Sequence, residues 1–389
     1  MSNVDLDAST YPWEKESLIY RLSKLFTKGD KEIVVYIYEN ADNSTFRYRA
    51  YNMCEVMEQS SKISGTYFFV KELDTVIKYL DLISHIVIVR TKWTIELDRL
   101  FCKVYSKNIR MYYDVDDLIY DIKKLPLVMN TINVPMDETN YNGFFSYASR
   151  LYLAASMCEN FISTNEFIAN KLHASFNKKV HVIENFLNKQ QMEVSDLLWK
   201  DKLQETKSKD EILLGYFSGS PSHNLDFQSI SSELYTLMKN NDKIKLRLVG
   251  YLTLPEILEE YNKEGRVERL PMQHYANLQK KIAECDVNLI PLLVNEFTNC
   301  KSEIKYFESG IVGTVSVAAP TFVYKKIIND GENGYLSLPG TWQEKIEKII
   351  ENRPNKEVAK AARDFAEKNY DGRNLLTKIE NVFLDNNAD

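Results

Sequence analysis

The segment 286–310 carries the densest set of charged and polar side chains that could bind a ligand. A polar loop after a buried strand leads to a helix that Ser302 can cap. Lys301 would stand just before the N-terminus of that helix, where a phosphate meets both a cation and the helix dipole. Lys305 and Glu308 follow, and an early helix start places all three on one face. The alternative is a solvated helix in which Lys305 pairs with Glu308.

Two arginines follow the first predicted strand. Ser44 or Thr45 would cap the next helix and place Arg47 and Arg49 in its first turn. Cations at that end oppose the helix dipole by roughly 0.3–1 kcal/mol each. Helix stability therefore does not explain them, whereas an anionic ligand at the helix N-terminus would. The alternative is two exposed arginines in local salt bridges.

Three aspartates, Asp114, Asp116 and Asp117, follow the fourth predicted strand. Carboxylates this close raise each other's pKa unless cations or donors meet them. Asp114 and Asp116 could hold a divalent cation against a diphosphate. The alternatives are a cluster that pairs with an arginine or an acceptor hydroxyl, and a helix cap formed by Asp116 or Asp117.

A hydroxyl-rich loop follows the first strand of the second half. Ser218, Gly219 and Ser220 are small, so their backbone N–H groups can approach a phosphate at the next helix N-terminus. His223 could donate to that phosphate, or be a loop histidine without a role. Gly250, after the next strand, is expected in the same pocket. The loop matches neither the GxGxxG fingerprint nor the Walker motif.

Short apolar runs lie between these residues, and their continuity predicts strands that are buried on both faces. The runs are 32–39, 65–70, 85–90, 109–114, 160–163, 180–183, 212–217, 244–249, 266–270, 287–291, 314–318 and 334–338. Helical periods between them predict parallel sheets with right-handed crossovers. A polar stretch at 187–210 divides the runs into two sets of six, which predicts two doubly wound domains. Ligands of such sheets bind beyond the carboxyl ends of the strands. Two helices broken near 370–372 are predicted to end the chain.

Composition narrows the function further. The 389 residues include 49 Lys and Arg against 55 Asp and Glu, a net charge of −6, which disfavours nucleic acid as a partner. Five scattered cysteines without a CxxC pair predict reduced thiols, and neither a disulfide framework nor a zinc site. The acidic N-terminus is unlike a signal peptide, and no run of 18 apolar residues occurs. These features predict a soluble, cytoplasmic protein.

Residues 211–338 resemble the donor half of a GT-B glycosyltransferase of the large retaining family numbered four. Phe307–Val315 (FESGIVGTV) is similar to the second half of that family's signature, with Glu308 on its second glutamate. The sequence DGENGYL at 330–336 looks like the family's DGxNGxL turn, and VIENFLN at 182–188 looks like its inter-domain segment.

The more unusual motifs are similar to a subgroup of that family. They are the Ser-Gly-Ser loop with His223, the sequence KSEIK at 301–305, FRYR at 46–49 and YDVDDL at 113–118. The subgroup contains rhamnosyltransferases and other enzymes of bacterial surface-polysaccharide synthesis.

The resemblance implies an α/β protein of GT-B architecture, with two Rossmann-like doubly wound parallel-sheet domains facing a central cleft. Residues 1–190 would bind the acceptor and 191–370 the nucleotide-sugar donor, and the helix in 371–389 would pack back on the N-terminal domain. The implied activity is retaining, metal-independent transfer of a hexose from a nucleotide-diphosphate sugar to a glycan or lipid-linked acceptor, without a cofactor. Such an acceptor is compatible with peripheral contact at the inner face of the cell membrane.

The reaction requires stabilisation of the leaving diphosphate as negative charge grows on it. Lys301, Arg47 and Arg49 are expected to supply it, and the loop that carries Asp117 is expected to position the acceptor or an arginine. The residues expected to bind the donor are Ser218, Gly219, Ser220, His223, Gly250, Ser302, Lys305 and Glu308. The resemblance implies that Glu308 holds the ribose hydroxyls and that no metal site is needed.

One position departs from the family signature. Cys300 stands eight residues before Glu308, where the family has its first glutamate. The contact of that glutamate with the transferred sugar would fall to Lys301, Ser302 or Asn299, or be absent. This loss motivates an alternative function, a non-catalytic GT-B-like subunit that binds glycan or protein.

Overall fold

The computed structural model describes residues 8–26, 29–204 and 210–384. It contains two six-stranded parallel sheets. The first sheet contains β1 (Glu32–Tyr38), β2 (Ile63–Phe69), β3 (His85–Val89), β4 (Arg110–Val115), β5 (Asn160–Ser163) and β6 (Val180–Val182). The second contains β7 (Ile212–Ser218), β8 (Ile244–Gly250), β9 (Val267–Leu270), β10 (Val287–Ile290), β11 (Val315–Ala318) and β12 (Tyr335–Leu336). All twelve strands were predicted from the apolar runs, with bounds that differ by at most two residues.

The strand order identifies both sheets as doubly wound. It is β2-β1-β3-β4-β5-β6 in the first and β12-β11-β10-β7-β8-β9 in the second, and neighbouring strands are parallel. Parallel strands expose all their carboxyl ends at one edge of a sheet, so the loops after β1, β4, β7 and β10 are brought together. The predicted fold class is confirmed.

Helices cover the sheets. They are α1 (Leu18–Ser23), α2 (Asn52–Met57), α3 (Leu73–Val76), α4 (Ile95–Val104), α5 (Leu125–Thr131), α6 (Glu138–Ser156), α7 (Glu166–Phe176), α8 (Lys189–Gln204), α9 (Asn224–Gln228), α10 (Ser231–Asn240), α11 (Glu259–Lys263), α12 (Tyr275–Ala283), α13 (Ile304–Gly310), α14 (Phe322–Ile327), α15 (Trp342–Glu351), α16 (Lys356–Tyr370) and α17 (Gly372–Leu384). The break between α16 and α17 lies where the sequence predicts it. Every helix in the described part of the chain is too short or too polar to span a bilayer.

The chain crosses between the two domains twice. The first crossing leads from β6 into α8, which packs on α12 through a hydrogen bond from Gln279 Nε2 to Ser195 Oγ (3.2 Å). The second leads from α16 into α17, which packs against α2 and β1. The two crossings meet at a bridge between Leu187 and Asp371. One of the three apolar clusters continues through both domains, since it contains Val34 on β1 and Phe307 on α13.

Candidate functional site

The segment after β1 reaches across to the second domain. Its residues Arg47–Tyr51 form a π-helical turn that leads into α2. Arg47 Nη2 lies 3.2 Å from Glu308 Oε1 on α13, and the Tyr48 hydroxyl donates to the same oxygen at 2.5 Å. Gln191 Nε2 on α8 is a third donor, at 3.3 Å. Glu308 thus joins the two domains at the carboxyl edges of their sheets.

Two cationic side chains beside Glu308 each carry a buried nitrogen that lacks a hydrogen-bond partner among the described residues. These atoms are Arg47 Nη1 and Lys305 Nζ. The Lys305 ammonium lies 4.8 Å from the centre of the Tyr216 ring, a cation–π contact that leaves its N–H groups without a hydrogen-bond acceptor in the described structure. Burial, with a smaller effect of the nearby Lys301, lowers the pKa of Lys305 to about 8, although Asp226 and Glu308 raise it in part. Unpaired buried donors are costly, so this arrangement favours an anionic ligand between the domains.

Lys301 joins the same region from the loop before α13. Its Nζ lies 3.3 Å from Asp117 Oδ2 of the first domain, and 4.5 Å from the centre of the Phe297 ring. His223 is close enough to Lys305 and Lys301 that the positive charges of both lysines lower its pKa. The structure therefore brings Arg47, Lys301, Lys305 and His223 near one another, at the carboxyl ends of strands from both sheets.

The Nδ1 atom of His223 lies 2.8 Å from Asp226 Oδ2. The other carboxylate oxygen, Asp226 Oδ1, accepts a hydrogen bond from the Leu293 N–H at 2.8 Å. Burial is the largest cause that lowers the pKa of His223 to about 4. The neutral imidazole adds no charge at pH 7, so the lysines and Arg47 supply the positive charge of the cleft.

The start of α13 differs from the prediction. The helix begins at Ile304 with Glu303 in the capping position, and no side chain caps it. Ser302 Oγ instead accepts a hydrogen bond from Asn185 Nδ2 (2.9 Å) in the inter-domain segment. Lys301 therefore lies outside the helix. The alternative pairing of Lys305 with Glu308 is also wrong, because Lys305 Nζ has no partner in the described structure.

Arg49 lies in the core and not in the cleft. Its side chain is fully buried, with Nε and Nη2 donating to Asp114 at 3.0 and 2.9 Å. Nη1 donates to the Ile183 carbonyl and to Asn185 Oδ1. All three nitrogens are thus used within the protein, and this geometry contradicts the expected phosphate contact. The predicted caps at Ser44 and Thr45 are wrong as well, since Asp42 Oδ1 accepts from the N–H groups of Ser44 and Phe46.

Each carboxylate of the aspartate cluster meets a cation. Asp114 pairs with Arg49, Asp116 with Arg90 at 3.2 Å, and Asp117 with Lys301. Of the three interpretations of this cluster, pairing with arginine is the one that the structure contains. No group of three His, Cys, Asp or Glu side chains suited to a metal ion occurs within the described ranges.

The loop after β7 is shaped by close backbone contacts. Ser218 Oγ donates to the Ser220 carbonyl at 2.8 Å, and the Ser220 and Ser222 hydroxyls are 2.5 Å apart. Gly250 pairs with Ser218 across the strands and has φ +94°, and a Cβ there would lie 2.0 Å from Ser218 O. A Cβ on Gly219, by contrast, would meet no atom of the described structure within 4 Å. The loop therefore has an open side at Gly219 and a rigid support at Gly250.

Cys300 faces away from the cleft. It is fully buried in the core of the N-terminal sheet, and its thiol lies 3.3 Å from the Glu296 carbonyl. The sequence did not predict the contacts of Tyr48 and Gln191 with Glu308, or that of Asp226 with His223. Of these three residues, only Tyr48 could have been suspected, from its place between the two arginines.

Comparisons with known proteins find similarity in structure alone. No family model and no curated protein matches the chain. Anabaena HepE, crystallised with UDP and glucose, is 14% identical, with a TM-score of 0.56 over 91% of this chain and 100% of its own. Sucrose-phosphate synthase of Thermosynechococcus elongatus is 12% identical, with a TM-score of 0.60 over 91% and 99%. A Rickettsia africae glycosyltransferase is 11% identical, with a TM-score of 0.59 over 92% and 100%. The chain therefore has the two-domain GT-B fold that is found in these glycosyltransferases.

Proposed function

We propose that this protein transfers a sugar from a nucleoside-diphosphate sugar to a glycan or lipid-linked acceptor. The observation that carries the proposal is a pair of buried nitrogen atoms without a hydrogen-bond partner in the described structure, Arg47 Nη1 and Lys305 Nζ, at the facing edges of two parallel sheets. A diphosphate supplies the acceptors that both groups lack. HepE, which shares this fold, was crystallised with UDP and glucose, so UDP is the first nucleotide to test.

In this proposal the diphosphate lies between Lys301, Lys305 and Arg47. Negative charge grows on the leaving phosphate in the transition state, and preorganised cations in a cleft stabilise it strongly. Lys301 is placed to exchange its partner, because its contact with Asp117 is long at 3.3 Å and partly exposed. The backbone of Gly219 and its neighbours would add N–H donors. Arg49 would act only by holding Asp114 and the inter-domain segment in place.

Glu308 has two roles in this proposal. Its Oε1 accepts from Arg47, Tyr48 and Gln191, which holds the domains together. The resemblance to family-four enzymes implies a second role, in which the carboxylate also accepts from the ribose hydroxyls. A carboxylate has about four acceptor positions, so both roles are compatible.

The stereochemistry, metal requirement and pathway that we propose follow from the resemblance to family-four glycosyltransferases. We propose retention of the anomeric configuration, no requirement for a metal, and a place in bacterial surface-polysaccharide or glycoconjugate synthesis on the cytoplasmic side of the membrane. A panel of nucleotide sugars with products analysed by NMR tests the sugar and the stereochemistry together. An inverted product contradicts retention, and activity lost in EDTA and restored by a divalent cation contradicts metal independence.

Replacement of Lys301 tests the phosphate role. Lys301→Ala is expected to lower kcat/KM for donor hydrolysis or transfer about 100-fold or more, since the transition state loses a cation. The melting temperature should change little, because Lys301 makes one long, partly exposed ion pair with Asp117 and one contact with the Phe297 ring. Lys360→Ala, on an exposed part of α16, is the control. An unchanged rate in the Lys301 variant would contradict the assignment.

The burial of Cys300 favours one alternative, a non-catalytic subunit that binds glycan or protein. A buried thiol stands at the position where the similar family has its first glutamate. Thermal-shift measurements with UDP, GDP and dTDP distinguish the two functions, because a ligand that binds the folded state raises its stability. Stabilisation by none of the three supports the alternative.

A further inference from the structure

A cavity of about 360 Å³ lies where the two domains and the C-terminal helices meet. We call it the crossing cavity, because residues beside both chain crossings form its wall. Glu166 and Glu184 come from the first domain, Glu303 and Lys326 from the second, and Tyr370 and Lys378 from the α16–α17 region. Lys301, Lys305, Glu308 and His223 do not line it, so it is separate from the proposed donor site.

Two ion pairs at the crossing cavity neutralise four of its five charged residues. Lys326 Nζ lies 2.8 Å from Glu166, and Lys378 Nζ lies 2.6 Å from Glu184. All four side chains are partly exposed, as expected for groups at a rim. Glu303 is the remaining carboxylate, and it gives the cavity a net charge of −1 when it is ionised.

Glu303 is buried, with 3% of its surface exposed. The Tyr370 hydroxyl hydrogen-bonds to its carboxyl group, while Oε2 has no partner among the described residues. An unpartnered carboxylate oxygen in a buried position is costly, and a hydrogen-bond donor in the cavity would remove that cost. Glu303, a residue of the cavity wall, thus has one unsatisfied acceptor oxygen in the described structure and, when ionised, adds one negative charge outside the two ion pairs.

Apolar side chains form much of the remaining wall of the cavity. They are Val182, Phe322, Val323, Ile327, Phe365 and Leu375. Binding sites for small molecules commonly have several hundred Å³, mostly apolar walls and a few placed polar groups. A ligand for this cavity should therefore have a short hydrocarbon body and one cationic donor group.

We propose that the crossing cavity binds a small organic monocation, a primary ammonium with a short hydrocarbon body, whose N–H groups donate to Glu303. Because both domains line the cavity, such a ligand would also hold the domains in their present arrangement. The inference goes beyond the proposed glycosyl transfer and does not depend on it.

Ionisation of Glu303 gives the proposal a pH signature. Burial, with a smaller effect of Glu184, raises the pKa of Glu303 to about 7. The hydrogen bond from Tyr370 and the charge of Lys326 act in the opposite direction. The other charged groups facing the cavity, Glu166 and Lys378, are each held in an ion pair. An alkyl ammonium stays charged to about pH 10, so it should bind about tenfold more tightly at pH 8 than at pH 6.

Calorimetric titration of the full chain with butylamine hydrochloride at pH 6 and pH 8 tests the proposal. Matched titrations use 1-butanol, which lacks the charge, and glucose. The variant Glu303→Gln keeps the shape and removes the charge, so it should bind butylamine at least tenfold more weakly at pH 8 and show no pH dependence. Glu332→Gln, at an exposed carboxyl of the same domain, is the control and should bind as the wild type does.

Several outcomes would overturn the proposal. They are absence of butylamine binding, equal binding by Glu303→Gln, and binding of 1-butanol or glucose that is as tight as that of butylamine. A flat pH profile in the wild type would also overturn it, and that measurement does not require any variant to fold. UDP binding has no part in these readouts, so failure of the proposed function would leave them unchanged.

Discussion

Arg47 and Arg49 are two residues apart and have different environments. Arg47 lies at the cleft with Nη1 unpaired in the described structure, whereas all three guanidinium nitrogens of Arg49 are bonded within the core. Both residues are buried, so burial does not distinguish them. Their partners do: Arg49 has a structural role in the core, whereas Arg47 keeps one nitrogen free in the described structure for the diphosphate contact proposed above.

We expect Arg49→Met to lower the free energy of unfolding by about 3–5 kcal/mol, since Asp114 is left as an uncompensated buried charge. Urea unfolding of the wild type and the variant measures it. The double variant Arg49→Met with Asp114→Leu should recover most of the loss, because both charges are then gone. A stable Arg49→Met protein with weakened UDP binding would instead support a phosphate contact.

Lys305 offers a variant whose stability and ligand affinity should change in opposite directions. Lys305→Met removes a buried, unpaired charge, so the free energy of unfolding at pH 7 should rise by about 2 kcal/mol. Affinity for UDP should fall about 100-fold, because a charged hydrogen bond to the ligand is lost. Thermal unfolding and calorimetry with UDP measure the two effects, with Lys325→Met at an exposed position as the control.

The pH dependence of that stability difference follows from the lowered pKa of Lys305, about 8 in the folded protein. Between pH 8 and the pKa of the unfolded chain, about 10.4, the unfolded state binds a proton that the folded state has released. The wild type therefore gains stability relative to Lys305→Met as the pH rises through this window. A difference that stays constant from pH 7 to 10 would contradict the burial of this ammonium group.

At the level of elements, the π-helical turn at Arg47–Tyr51 determines which way these side chains point. A π turn inserts an extra residue into the helix and changes the direction of the side chains around it. Here it lets Arg47 and Tyr48 reach α13 in the second domain, while Arg49 turns toward β4. Such turns often occur at functional sites, and this one forms one side of the cleft.

The ends of β7 and β8 give a prediction at the same scale. Gly250→Ala should destabilise the protein by more than about 1 kcal/mol, because its positive φ and the 2.0 Å approach to Ser218 O exclude a side chain. The displaced loop should also bind UDP more weakly. Gly219→Ala is the matched comparison. It should keep the stability of the wild type and weaken UDP binding only if the phosphate contacts this loop.

At the scale of the whole molecule, the C-terminal helix α17 fastens the chain back to the first domain. Glu380 accepts from Ser60 Oγ at 2.6 Å, and the Tyr112 hydroxyl donates to the Val382 carbonyl at 3.3 Å. Phe383 packs edge-on against Tyr112 and His85. The N-terminal core is thus completed by residues more than 260 positions away in sequence.

Phe383→Ala is expected to cost about 3–5 kcal/mol, since a buried aromatic ring is removed from this contact. Urea unfolding followed by tryptophan fluorescence measures the loss. Asn381→Ala, at an exposed position of the same helix, should change the stability by less than about 0.5 kcal/mol. A small effect of the Phe383 change would mean that α17 does not support the N-terminal domain.

Much of the fold could be predicted because its signals are local. Continuous apolar runs mark strands that are covered on both faces, and the helical periods between them require parallel crossovers. The start of α13 could not be predicted, because Ser302 Oγ bonds to Asn185, a residue 117 positions away. The lack of a hydrogen-bond partner for Lys305 Nζ in the described structure could not be predicted either, since the spacing of Lys305 to Glu308 fits an ion pair that does not form.

The sequence by itself determined the α/β class, the twelve strands and the polar loops at the strand ends, because all of these depend on residues that are near one another in the chain. Only the tertiary structure decided which charges remain available. Arg49 and Asp114 neutralise each other in the core, whereas Arg47 and Lys305 keep unpaired N–H groups in the described cleft. Partners that come from distant segments decide this difference, and the spacing of residues along the chain carries no information about them.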